Sequence, residues 1–91
     1  MKKINEQDLI KKLKAEGFKD VGVYPILPQD FGEHTHEEHT IHIILTGKLI
    51  VTDKKGTQKL NPGDRVEFPA GTTHRARGGA KKGSMIIGVK K

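Results

Sequence analysis

No cysteine occurs among the 91 residues. Disulfide staples are therefore excluded, and so is any metal site built on thiolates. Aromatic residues are also scarce, with three phenylalanines, one tyrosine and no tryptophan. That supply is too poor for a surface on which successive bases could stack. No apolar run approaches the roughly 18 residues that a membrane-spanning helix needs. The start, Met1-Lys2-Lys3-Ile4-Asn5-Glu6, leads into a charged segment instead of an apolar signal core. A soluble, cytoplasmic protein is expected, with no membrane partner. A chain this short forms one domain, residues 1–91, that buries only a modest fraction of its surface. Without disulfides, the reinforcements open to it are a bound metal and a second subunit.

Charge is abundant and unbalanced. The formal net charge is +6 and the pI is near 9.7. The lysines cluster at the two ends (Lys2, Lys3, Lys11, Lys12, Lys14; Lys81, Lys82, Lys90, Lys91) and in the pair Lys54-Lys55. Charge scattered over termini and turns solvates a surface and does not line a groove, so no nucleic-acid partner is expected.

Asn5 with Asp8 three residues on reads as a helix start, and Leu9, Ile10 and Leu13 form one apolar face. Gly17 stops the helix, which is expected over 5–16. Beyond it the texture turns to short strands. Val21, Val23 and Tyr24 lead a strand that must stop, or lie on a sheet edge, at Pro25. Pro28 to Gly32 reads as loop. Strands follow at Thr40–Leu45 and Lys48–Thr52, then Thr57–Leu60, Arg65–Phe68, Thr73–Arg77 and Ser84–Val89. Asp53-Lys54-Lys55-Gly56 and Asn61-Pro62-Gly63-Asp64 are the turns between them. Seven or so short strands over about 19–90, broken by Gly and Pro, indicate an all-β sandwich or barrel.

Four of the five histidines fall within nine residues: His34, His36, His39 and His42. In an extended segment alternate residues share a face, so His34 and His36 can point the same way. The fifth, His74, follows the tight turn Pro69-Ala70-Gly71-Thr72-Thr73. Imidazole is the commonest ligand for transition metals, and a barrel can assemble a site from a pair on one strand and a single histidine on another. Lone strand histidines are usually surface residues, but this concentration beside an apolar strand favours a metal role.

Two stretches resemble the motifs of the cupin family. His34-Thr35-His36 is followed after three residues by Thr40 and after six more by Gly47, like the first cupin motif. Gly63, five residues, then Pro69-Ala70-Gly71-Thr72-Thr73-His74 matches the second. The resemblance implies a double-stranded β-helix (jelly roll) with a divalent metal near one mouth, commonly in a homodimer. The metal could be zinc, nickel, copper, iron or manganese. Two departures stand out: Thr40 occupies the position of the family's glutamate ligand, and Gly78 that of a terminal asparagine.

A threonine hydroxyl is a poor ligand, so the fourth position falls to His42, to Glu38 or to water. Period two puts His42 on the inner face with Thr40 and Ile44, which favours His42. The expected metal ligands are therefore His34, His36, His42 and His74. An all-histidine site favours copper, nickel or zinc over iron. His39 should face outward beside Ile41, Ile43 and Leu45, and that apolar face needs cover from the N-terminal helix, another strand or a second subunit. Glu33, Glu37 and Glu38 are placed to orient imidazoles, Glu38 being the only assignable general acid or base. Arg65, Arg75 and Arg77 read as solvated strand positions, with Arg75 and Arg77 alternating outward from His74. Three functions remain open: a metal-dependent oxygenase or isomerase on a small organic acid or sugar derivative, a small-molecule or metal sensor, and a barrel that keeps only its structure.

Overall fold

The structure is a computed structural model that describes residues 5–35 and 37–90. Helix α1 spans Glu6–Ala15. It starts where the Asn5 side chain accepts hydrogen bonds from the Gln7 and Asp8 amides, at 3.0 and 3.3 Å. It ends at Glu16, and Gly17 takes the positive φ of +102° that turns the chain away. Eight strands follow: β1 Lys19–Ile26, β2 Asp30–Thr35, β3 His39–Thr46, β4 Leu49–Asp53, β5 Gly56–Leu60, β6 Arg65–Phe68, β7 Thr73–Gly78 and β8 Gly83–Lys90. No described helix is long and apolar enough to cross a membrane.

The strands form two antiparallel four-stranded sheets, ordered β1-β8-β3-β6 and β2-β7-β4-β5. β1 runs on through Pro25 and is an end strand, where a residue without an N–H is tolerated. The segment 28–32, expected as loop, contributes its last three residues to β2. Gly32 makes this possible by taking φ +77° at a register shift, with its amide donating to the Asp30 carboxylate at 2.8 Å. The Asp53–Gly56 and Asn61–Asp64 turns form as their residues dictate. The Asp53 carboxylate accepts from the Lys55 amide and that of Asp64 from the Asn61 amide, both at 2.8 Å.

Alternation along β3 splits the apolar residues into two cores. Ile44 joins Ile26, Leu49, Val51, Leu60, Phe68 and Ala76 between the sheets. Ile41, Ile43 and Leu45 face the other way and pack with Leu13, Phe18 and Ile86. The N-terminal helix thus covers the outward face, with Leu13 only 1% exposed. A second subunit is not needed for that purpose. Arg65 on β6 clamps the helix end to the sheet through a fork to Glu16, at 2.6 and 3.1 Å. This arginine is a tie between elements, which strand periodicity alone did not indicate.

Leu13→Ala should cost about 2–4 kcal/mol of unfolding free energy in urea titration, because the helix loses its one fully buried anchor. The Arg65 fork holds the Glu16 carboxyl below its ordinary value of 4.5. Its contribution is therefore present at neutral pH and lost as pH falls below that value. The stability difference between the parent and Glu16→Gln should shrink toward zero in acid; a gap that persists in acid would contradict this.

Candidate metal centre

β2 and β7 pair in a register that sets His34 directly opposite His74. Cross-strand partners share a face, so the two rings meet edge to face with centroids 4.6 Å apart. One step toward the strand ends, the Thr35 and Thr73 hydroxyls hydrogen-bond at 2.6 Å and pin that register. His42 comes from β3 in the facing sheet, and its centroid lies 6.4 Å from that of His74. His42 and His74 are both buried. The three imidazoles line one cavity of about 190 Å3, walled by Phe31, Leu49, Val51, Phe68 and Met85.

Phe68 organises the cluster. Its ring stacks on His74 at 4.0 Å and 12°, and meets His42 edge-on at 5.4 Å. Such contacts fix ring planes, each contributing about 0.5–1.5 kcal/mol beyond burial. Sequence reasoning passed over Phe68. The available signal was its place just before the Pro69 turn, on the inner face opposite Thr40. Thr40 itself is buried, and its hydroxyl has no hydrogen-bond partner among the described residues. Gly78 has a steric reason, since a Cβ there would run into the Leu27 carbonyl.

His36 lies outside the described residues. Glu38, the other candidate for the fourth position, is exposed on the connection between β2 and β3. Among the described residues no carboxylate lines the cavity. His39 faces outward, against the Phe18 ring and within 3.0 Å of Glu67, so the carboxylate that meets this histidine comes from β6 and not from the flanking glutamates. Arg75 also faces outward, where it pairs with Asp30 at 2.7 Å. The Arg75 guanidinium and the Gly32 amide hold the Asp30 carboxyl below its usual range.

Three imidazoles on one cavity are donors of the kind that transition metals take, so the chemistry of the residues present fits such an ion. Among the described residues, however, no three His, Asp or Glu side chains close into a complete metal-holding group.

A family model described as a cupin domain matches residues 24–87, well over half the chain. The chain belongs to the cupin family. This cupin is 32% identical over 84 residues to an acireductone dioxygenase of Leishmania major, a match that takes in 76% of the chain. The match spans only 24% of that enzyme's length. Among solved structures it resembles a DUF861-family protein of Thermotoga maritima, with a TM-score of 0.68 at 22% identity over 97% of this chain and 94% of the other. A predicted oxalate decarboxylase of the same organism gives 0.67 at 19% identity, over 88% and 72%. These likenesses establish a jelly-roll barrel as the fold.

Replacing Phe68 with leucine should remove the stacked face while keeping an apolar residue, at a cost of about 1–3 kcal/mol. In NMR spectra of the Phe68→Leu protein the His74 ring protons should move downfield as the ring current is lost. Unshifted His74 resonances would mean the stack is absent in solution.

Proposed function

We propose that this cupin holds one divalent transition-metal ion through His34, His36, His42 and His74 and presents it to a small organic molecule in the barrel. The observation that carries the reading is the convergence of His34, His42 and His74, from two sheets, on one apolar cavity. His42 and His74 are buried beside apolar walls, where ligand chemistry accounts for placing imidazoles. The pattern His34-Thr35-His36 supports adding His36. Neutral imidazoles in the absence of a lining carboxylate favour copper, nickel or zinc.

When bound, such an ion supplies Lewis acidity or, for a redox-active metal, electron transfer. The chain's own residues do the rest. Phe68 holds the plane of His74, and Leu49, Val51 and Met85 give the cavity apolar walls. At about 190 Å3 the space is below the usual 300–1,000 Å3 of drug-sized sites, so it selects small molecules. The likeness to an acireductone dioxygenase favours a second, finer reading, a metal-dependent oxygenase on a small substrate.

Elemental analysis of the purified, untagged protein tests the first reading. Near-stoichiometric metal is expected in the parent, with loss in a His34→Ala/His36→Ala double variant and in His74→Ala. His42→Ala should lower metal affinity by at least tenfold; unchanged affinity would remove His42 from the set. No metal in the parent, even after reloading with zinc, nickel or copper, would overturn the proposal.

A further inference from the structure

Along β2 the register puts His34 opposite His74 and Gly32 opposite Ala76, so these two positions of the strand face inward. Asp30 faces outward, toward Arg75 and Arg77. Phe31 is the extra residue at the register shift between Asp30 and Gly32. A bulge re-aims the side chain it carries, and here the Phe31 ring reaches the histidine cavity. The inward position next to it is a glycine, where an added Cβ would meet nothing within 4 Å. Phe31 supplies the wall that Gly32 leaves out. The ring is still 38% exposed, which places it at the rim of the cavity.

The bulge is clamped from outside. The Asp30 carboxylate accepts from the Gly32 amide at 2.8 Å and from the Arg75 guanidinium at 2.7 and 3.4 Å. The alternation that aims His74 and Ala76 inward sends Arg75 and Arg77 to the outer face. As a result, among the described residues, no lysine, arginine, aspartate or glutamate lines the cavity. Its polar side chains are the three imidazoles, and the remaining lining side chains are apolar.

From this lining we infer that Phe31 is a specificity-determining residue, and that the cavity takes a small ligand with a polar head at the imidazoles and an uncharged, apolar tail at Phe31. The inference rests on the cavity being the ligand site proposed above, though not on the ion. A charge buried without a partner is costly, and imidazoles engaged with the head leave a charged tail with none. Of the organic acids and sugar derivatives that the sequence leaves open, short alkyl monocarboxylates fit, whereas dicarboxylates and sugar phosphates do not. Asp30 and Arg75 are positioning residues that act through Phe31.

Two matched pairs of probes test this on the full chain, with binding read from the Val51 and Met85 methyl signals in NMR spectra. About 0.15 M salt screens the long-range pull of the +6 chain on anions. On zinc-loaded protein, butyrate should bind about tenfold more tightly than succinate, which has the same head and a charged tail. With a chelator present, butanol should bind about tenfold more tightly than aminobutanol, its ammonium-tailed analogue. Phe31→Ala should weaken butyrate about threefold and leave acetate, a head without a tail, unchanged. Phe31→Lys should bring succinate level with butyrate. Asp30→Ala should weaken butyrate as Phe31→Ala does, and Asp30→Asn, which still accepts from the Gly32 amide, should restore it. Succinate as tight as butyrate in the parent would overturn the inference, as would aminobutanol as tight as butanol, or equal losses for acetate and butyrate in Phe31→Ala. Methyl signals that no probe moves would overturn it as well. The alcohols need no metal, so a chain that takes up no zinc loses the proposed ion while the alcohol pair still decides this inference.

Discussion

The fold depends on a constraint met in one strand: both faces of β3 must be dry. Every residue from Thr40 to Leu45 is buried. A strand at a water surface alternates apolar and polar, and only one covered on both sides reads Thr-Ile-His-Ile-Ile-Leu. The inner face needs a second sheet against Ile44, and the outer face needs Leu13 and Phe18 over Ile41, Ile43 and Leu45. The helix is therefore a structural part of the barrel. Arg65 reaches across to Glu16 at the place where helix and sheet must stay joined.

That same alternation sets the chemistry. With Ile44 inward, Thr40 and His42 are inward too, and a one-residue slip would send both to the helix side. His42 then faces a cavity whose other imidazoles arrive on the opposite sheet. Because no described carboxylate reaches the cavity, its polar character rests on nitrogen donors, with apolar walls around them. Electrostatics inside such a cavity are stronger than in water, and whatever charge enters is felt by all three rings.

Much of this was legible in the chain. Asn5, Leu13 and Gly17 announce the helix and its ends, and Asp53-Lys54-Lys55-Gly56 and Asn61-Pro62-Gly63-Asp64 announce turns that form. These are local signals, in which a side chain caps or bends the backbone two or three residues away. The inward course of His42 and His74 and the outward course of His39 and Arg75 followed from period two. Less legible was β2, where Gly32 lets a segment that reads as loop rejoin the sheet. The pairing of His39 with Glu67 was also hidden, because nothing near His39 in sequence points to β6.

By itself, then, the sequence determined the small all-β architecture, the two-faced central strand and the set of imidazoles available. Those properties follow from composition, periodicity and turn chemistry over a few residues. Only the tertiary structure decided which imidazoles meet, that Phe68 lies flat on His74, and that the chain's own helix covers the apolar face. Thr35 and Thr73 are 38 residues apart, yet their hydroxyls touch beside the pair His34 and His74. Such registers are chosen by the packing of whole sheets against one another, and no local pattern encodes them.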